Sequence, residues 1–234
     1  MNRFPKPMLL VLALALGSAG PAFAEGASET TYHFEGIDRL QVESGIQVEV
    51  RRGPLTVQRL TTGTNSRLRV EQRGSTLELG FQFSFWSLWG HRTERFVITL
   101  PELRSLRLSG GAQAKVDWQP GPDQDLDLEV EGGAGIDGVL KVGRLDARLS
   151  GGAHATVSGS ASPVRIEASG GAWFRSPSFT ATDTELDLTG GGGAVLELVG
   201  RARVDASGGA RLEYSGDPQL RQNTSGGASV HHRG

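Results

Sequence analysis

The chain has 234 residues, with 24 basic and 26 acidic side chains, a formal net charge of −2 at neutral pH, and no cysteine. This balance excludes the basic electrostatic footprint of a nucleic-acid-binding protein. The lack of cysteine excludes disulfides, thiolate metal sites and cysteine nucleophiles, so hydrogen bonds and packing must hold the fold together. Glycine is the outlier: its 34 residues are about twice the usual share of about 7%.

Residues 1–24 have the pattern of a secretory signal peptide. A positively charged start precedes an apolar run at residues 8–16, and Ala-Phe-Ala ending at Ala24 is a small-x-small cleavage site. The apolar run is too short to span a membrane, which takes about 20 residues. We therefore expect a mature chain of residues 25–234, a single domain without a transmembrane span, exported to the periplasm or the cell surface.

Residues 32–100 alternate apolar and polar side chains but lack a glycine corner. The alternation is clearest in Ile-Gln-Val-Glu-Val at 46–50 and Phe-Val-Ile-Thr-Leu at 96–100. A period of two is typical of strands with one buried face. The pattern predicts irregular N-terminal coils over residues 32–100.

One stretch in this region breaks the alternation: GFQFSFWSLWGHR, residues 80–92. It could fold over and cap the N-terminal coils, because an uncapped coil leaves an unpaired sheet edge. Alternatively, it is an exposed patch for a protein, a glycan or a membrane surface, since aromatic side chains bury much area with few rotatable bonds. In that second interpretation, Phe85, Trp86 and Trp89 are the candidate contact residues.

From residue 101 onward a small-residue corner, Ser-Gly-Gly-Ala or a close variant, recurs every 18 to 22 residues. Its glycine doublets are Gly110-Gly111, Gly132-Gly133, Gly151-Gly152, Gly170-Gly171, Gly190-Gly191, Gly208-Gly209 and Gly226-Gly227. The flanking segments alternate apolar and polar side chains, as in Leu145-Asp146-Ala147-Arg148-Leu149. Such a period predicts a parallel β-solenoid whose repeat coils occupy residues 101–230.

The glycine doublets have a structural and a functional interpretation. A solenoid corner must turn sharply and let coils stack about 4.8 Å apart, which favours glycine for its left-handed φ and alanine for its small size. A phosphate-binding glycine loop needs a following helix, and no helical pattern follows any doublet. The sequence therefore favours structural corners.

Six charged residues and one asparagine stand at the same position of the repeat, two residues before the serine position of the corner. They are Arg107, Glu129, Arg148, Glu167, Asp187, Asp205 and Asn223. The alternating signs of the first four predict a ladder of ion pairs between coils, at about 0.2–1 kcal/mol per pair. The step from Asp187 to Asp205 breaks the alternation; it is either a weak cation site or a pair of solvated carboxylates.

Two further features near corners and at the end of the chain are candidates for binding. Trp173 follows a corner directly and is a lesser candidate contact residue. The polar stretch 219–234 contains adjacent His231 and His232, which as neighbours on a strand would point to opposite faces. We interpret that stretch as a solvated tail without a metal site.

The chain resembles a family of bacterial secreted proteins, the auto-transporter adhesin, head GIN domain family. The resemblance rests on FEGIDRLQVESGIQVEVRRG, STLELGF, VITLPELRSLRLSGGA and the Ser-Gly-Gly-Ala coils, over about residues 32–230. Gln47 stands where many relatives have asparagine and keeps the amide. The resemblance implies a right-handed parallel β-helix-like fold and export, and its name implies adhesion, but it brings no catalytic residues.

An enzyme would need clustered charged side chains on one coil face. The candidates, Lys115, Asp137, Arg175, Glu197 and Glu213, occur singly along successive coils, and no serine-histidine-acid arrangement is present. We therefore predict a non-enzymatic protein with no cofactor and no metal, which binds an unknown envelope component, glycan or protein. A polysaccharide-active β-helix enzyme is the alternative, and self-association into a homo-oligomer is a third possibility.

Overall fold

The computed structural model describes residues 30–61, 67–81 and 94–233, and in these ranges the chain is all β. Its 19 strands are hydrogen-bonded into one continuous sheet. The strands are β1 (Thr30–Tyr32), β2 (Arg39–Val42), β3 (Gln47–Arg52), β4 (Thr56–Arg59), β5 (Leu68–Arg73), β6 (Thr76–Phe81), β7 (Arg95–Leu100), β8 (Ser105–Leu108), β9 (Gln113–Trp118), β10 (Leu126–Val130), β11 (Gly135–Lys141), β12 (Leu145–Leu149), β13 (His154–Ala161), β14 (Val164–Ala168), β15 (Trp173–Gly190), β16 (Gly193–Gly208), β17 (Arg211–Ser215), β18 (Gln219–Thr224) and β19 (Ser229–His232).

Stacked coils form two ladders of parallel strands, one on each side of the glycine corners. The entry ladder contains the strands that lead into a corner: β6, β2, β8, β10, β12, β14, the ends of β15 and β16, and β18. The exit ladder contains the strands that leave it: β7, β3, β9, β11, β13, the starts of β15 and β16, β17 and β19. The prediction of a parallel β-solenoid is confirmed.

The core lies between the two ladders and is built from columns of equivalent residues. In one column of the entry ladder, inward-facing residues on successive coils are ladder partners, and each is 0–1% exposed. Its members are Leu106, Leu128, Ala147, Ile166, Leu186 and Val204. Because each strand alternates, the same repeat that buries these apolar side chains places charged side chains on the outer surface.

The corners are tight turns that require a left-handed φ at the first glycine. At one corner, Ala153 N–H donates to the Ser150 carbonyl at 3.3 Å, and Gly151 between them has a φ of 70°. All the first glycines share this sign, and they are Gly110, Gly132, Gly151, Gly170, Gly190, Gly208 and Gly226. Among the second glycines only Gly111 has a positive φ, so their main role is a different one.

The amide of the second glycine links each corner to the corner before it, and the first glycine leaves room for the close stacking. Gly152 N–H donates to the Gly132 carbonyl at 2.7 Å, and Gly171 N–H donates to the Gly151 carbonyl at 2.8 Å. The corners therefore form a continuous hydrogen-bonded file along the solenoid. A Cβ on Gly190 would lie 2.6 Å from the Gly170 oxygen, which shows how little room the file leaves.

Chain order and stacking order differ at the N-terminal end. The coil of β2 and β3 lies between the coil of β6 and β7 and the coil of β8 and β9, so it is not the outermost one. The corner of this inner coil has no glycine doublet. It is formed by Ser44 and Gly45, with φ values of 60° and 72°. The outermost coil is covered by antiparallel strands: β5 on β6, β4 on β7, and β1 on β4.

The C-terminal stretch is a further coil, which corrects the interpretation of residues 219–234 as a solvated tail. β18 pairs with the end of β16 and β19 pairs with β17, and both pairings are parallel. The last glycine doublet, Gly226-Gly227, is the corner of this coil, and the stretch resembles a tail because polar Gln222 and Thr224 occupy positions that are apolar in earlier coils. As expected for neighbours on a strand, His231 and His232 occupy alternate positions of β19.

The two glycines of one corner should differ in their tolerance of a methyl group. Gly190→Ala places a side chain at a φ of 90° and 2.6 Å from a carbonyl oxygen, so we expect it to lower the free energy of unfolding by about 1–3 kcal/mol. Gly191→Ala meets that oxygen at 3.9 Å without a left-handed φ and should stay within about 1 kcal/mol of the wild type. Urea denaturation of both variants measures the difference, and equal losses would contradict the corner geometry.

Candidate functional site

The aromatic segment lies outside the described residues, and so does the signal peptide. Phe85, Trp86 and Trp89 therefore remain predictions as contact residues. The structure does place the two chain positions that flank them. β6 ends at Phe81 on the entry ladder and β7 begins at Arg95 on the exit ladder, both on the outermost N-terminal coil. The segment thus takes the place in the chain that a glycine corner takes in the repeat coils.

A buried ion pair fixes the strand that follows the aromatic segment. The Arg59 guanidinium donates to both carboxylate oxygens of Glu94, with Nε–Oε2 at 2.8 Å and Nη2–Oε1 at 3.0 Å. The two side chains are 9% and 0% exposed. This hydrogen bond raises the pKa of Arg59, and burial raises the pKa of neighbouring Tyr32. The pair ties the start of β7 to the capping strand β4.

Trp173 lies in an outward position at the start of β15, where it is partly buried. The guanidinium carbon of exposed Arg175 lies 4.5 Å from the centre of the indole ring, a cation–π geometry. In the ladder, Trp173 pairs with His154 on one side and Gly193 on the other. Trp173 therefore belongs to a mixed aromatic and cationic surface on the exit ladder.

His154 extends this surface by one coil. A Cβ on Gly135, its ladder partner, would lie 2.3 Å from the His154 Nε2, so the imidazole fills the space that glycine leaves. His154 itself is exposed. His154 and Trp173 are thus ladder partners, with the imidazole over Gly135 and the Arg175 guanidinium over the indole. Sequence reasoning missed His154, because only the register places it beside Trp173.

The charged column on the entry ladder has the predicted register. Arg107 Nε lies 2.9 Å from a Glu129 carboxylate oxygen, and Arg148 Nε lies 3.8 Å from a Glu167 oxygen on the next coil. Arg165, one column away, reaches Glu167, Glu185 and Asp187 at 2.9, 3.1 and 3.3 Å. These are surface pairs in high dielectric, so each contributes little, but together they leave the face almost neutral.

Asp187 and Asp205 are ladder partners, as the sequence indicated, but each already has an arginine. Asp187 lies 3.3 Å from Arg165, and Asp205 lies 3.0 Å from Arg203. Burial raises the pKa of Asp187, and the carboxylates of neighbouring acids add to this effect. Among the described residues, no three or more histidine, aspartate or glutamate side chains are grouped as metal ligands.

The residues considered for catalysis do not converge on one place. Lys115 and Asp137 are ladder partners on the exit ladder, but the next position in their column is Thr156. Arg175 pairs with Val195, and only beyond Val195 does the column reach Glu213. Glu197 belongs to a neighbouring column that contains Thr180 and Ser215. Apart from the adjacent Lys115 and Asp137, neutral residues separate these charges along their columns, so the five candidates do not gather at one site.

The parallel coils and glycine corners define the chain as a β-solenoid. A family model described as "Putative auto-transporter adhesin, head GIN domain" matches residues 34–218, and the chain belongs to this family. The resemblance inferred from the sequence is thereby confirmed. No curated protein matches the chain. In the described part of the chain, no helix has the length and apolarity to cross a bilayer.

Several solved structures share the fold at low sequence identity. A "putative adhesin" from Bacteroides fragilis is 14% identical, with a TM-score of 0.74 over 89% of this chain and 97% of that one. A "putative adhesin" from Parabacteroides distasonis is 14% identical, with a TM-score of 0.68 over 89% and 98%. A "putative lipid binding protein" from the same species is 14% identical, with a TM-score of 0.62 over 90% and 98%. These likenesses show the fold.

Removal of the buried carboxylate should be far more costly than removal of an exposed one. Glu94→Ala leaves the Arg59 charge buried without its carboxylate partner, so we expect a loss of about 3–5 kcal/mol in the free energy of unfolding. Glu129→Ala removes an exposed pair with Arg107 and serves as the matched control, at about 0–1 kcal/mol. Chemical denaturation of both variants tests this, and a Glu94→Ala loss no larger than the control would refute the anchoring role.

Proposed function

We propose that this chain is an exported, non-enzymatic β-solenoid that binds a component of the cell envelope in the manner of an adhesin. The observation that carries the proposal is the contrast between the charged surface of the repeat coils and the aromatic segment. The charged column of the entry ladder is paired within the molecule, whereas the aromatic segment interrupts the coil pattern at one end. Family membership supports an adhesin-like role.

Contact is assigned to Phe85, Trp86 and Trp89, with Trp173 as a secondary contact. The scattered charges of the exit ladder and the lack of a metal-ligand cluster among the described residues support a binding role over catalysis. Nothing in the comparisons favours the alternative of a polysaccharide-active enzyme. Export rests on the signal-peptide pattern of residues 1–24, and the ligand is a glycan or protein of the envelope.

The aromatic contacts can be tested by the binding of labelled mature chain to isolated bacterial envelopes. We expect Trp86→Ser combined with Trp89→Ser to weaken binding about tenfold or more, because aromatic anchors dominate interface energies. Trp173→Ser should have a smaller effect. Val199→Ser, which alters an exposed apolar side chain at 39% exposure, is the control and should bind as the wild type does.

Circular dichroism and thermal melting of each variant separate loss of contact from loss of fold. Unchanged envelope binding by the folded double tryptophan variant would refute the assignment of the contact residues. Release of soluble products from anionic polysaccharides incubated with the purified chain would refute the non-enzymatic role.

A further inference from the structure

The two ends of the solenoid differ in how their strand edges are covered. At the N-terminal end, antiparallel strands β5, β4 and β1 cover the outermost coil. At the C-terminal end, β18 pairs only with β16 and β19 only with β17 among the strands that the structure describes. One edge of the C-terminal coil, residues 219–233, is therefore not paired with any strand that the structure describes.

The open edge offers a regular set of unpaired backbone groups. Ser225 N–H donates back to the Ala206 carbonyl, and Ser229 N–H donates back to the Ala210 carbonyl. Because alternate residues of a parallel strand point their hydrogen-bonding groups to opposite sides, those of Leu220, Gln222 and Val230 point outward. Proline and lysine, which commonly protect edge strands, are absent from β18 and β19.

Apolar side chains at this end are only partly covered. Leu220, Ala228 and Val230 pack against the core but remain half-buried, whereas their counterparts Ala202, Ala210 and Leu212 one coil earlier are 0–3% exposed. A further strand with apolar side chains at its inward positions would cover them. One more coil could therefore form backbone hydrogen bonds with this edge and cover its half-buried apolar side chains.

The charges of the C-terminal coil select the chemistry of such a strand. Residues 219–233 contain no aspartate or glutamate, but they contain Arg221, Arg233 and two histidines. In the column that ends at Arg221, Arg165 pairs with Glu185 at 3.1 Å, and Arg203 pairs with Asp205 on its own strand at 3.0 Å. Arg221 forms no ion pair with any described residue.

We propose that the edge of the C-terminal coil binds an extended acidic segment of a partner protein, which adds as one further coil with a carboxylate opposite Arg221. This inference rests on the proposed binding function and names the class of one partner. Added strands gain affinity from backbone hydrogen bonds and specificity from alternate side chains. A second copy of this chain would bring its own Arg221 and Asn223 to the edge, without a carboxylate.

The chain itself supplies a probe with the required pattern. A synthetic peptide of residues 182–199 contains four acids, Asp183, Glu185, Asp187 and Glu197, together with alternating apolar side chains and a glycine corner. The ladder register aligns Glu185 with Arg203 and Arg221, and Glu197 with Ser215, one strand before Arg233. Added in the same register beyond β18, the peptide would place Glu185 opposite Arg221 and Glu197 opposite Arg233, which already lies 3.7 Å from a Glu213 oxygen, so Arg221 is the arginine to test.

Charge reversal provides the decisive measurement, with binding of the labelled peptide to the mature chain followed by fluorescence anisotropy. We expect Arg221→Glu to weaken binding at least tenfold, while Arg52→Glu, an equal change of net charge at the exposed end of β3, has little effect. A peptide with lysine at positions 185 and 197 should bind the wild type poorly and bind the Arg221→Glu variant better. The proposal is overturned if the lysine peptide does not bind the Arg221→Glu variant better than the wild type, or if the wild type does not bind the acidic peptide.

A backbone variant tests strand addition independently of charge. Gln222→Pro removes an outward N–H from the edge and should abolish peptide binding, whereas Gln222→Ala keeps the N–H and should bind; thermal melting checks that both are folded. Equal binding by the two folded variants overturns the proposal. If sedimentation shows that the wild type is a dimer and that Gln222→Pro dissociates it, the edge binds a second copy of the chain, and this result also overturns the proposal. Envelope binding through Trp86 and Trp89 can succeed or fail independently of these results.

Discussion

The fold depends on the close stacking of coils at the glycine corners. The Gly152 amide reaches the Gly132 carbonyl, the Gly171 amide reaches the Gly151 carbonyl, and the same contact recurs along the molecule. Any side chain at the tightest positions would strike a carbonyl oxygen of the preceding coil. Once the corners are stacked, the strand segments next to them are in register, and the columns of core residues and surface charges there follow from it; register shifts occur farther from the corners, as between Ser176 and Thr180.

A consequence of that stacking is that the long faces have little left with which to bind. Arg107, Arg148 and Arg165 on the entry ladder are paired with acids on their own or neighbouring coils, whereas Arg221 on the last coil forms no ion pair with any described residue. Apolar side chains are inside, and of the described residues Val199 is the large hydrophobic one that is exposed. The mixed surface of His154, Trp173 and Arg175 is the main exception on the exit ladder. Features that differ from the repeat therefore occur mostly at the ends of the stack.

The two ends of the stack differ in how the edge of the last coil is covered. At the N-terminal end, antiparallel strands cover the edge, and the Arg59–Glu94 pair ties one of them to β7 beside the aromatic segment. At the C-terminal end, polar Gln222 and Thr224 replace apolar residues, which reduces the cost of exposure without closing the edge. The edge proposal concerns the C-terminal end, and the proposed aromatic contacts follow β6 of the outermost N-terminal coil in the chain, while the secondary contact Trp173 lies between the two ends.

The sequence by itself determined the repeat, the glycine corners, the buried face of each strand and the ion-pair column, because all of these follow from periodicity along the chain. It could not determine that the coil of β2 and β3 lies inside the stack, or that β1, β4 and β5 run antiparallel as a cap. For residues 219–233 it gave conflicting signals, because the last glycine doublet indicates a coil while Gln222 and Thr224 stand at inward positions that are apolar in earlier coils. Those features depend on which edges meet in three dimensions, and alternating patterns are the same for a parallel and an antiparallel neighbour.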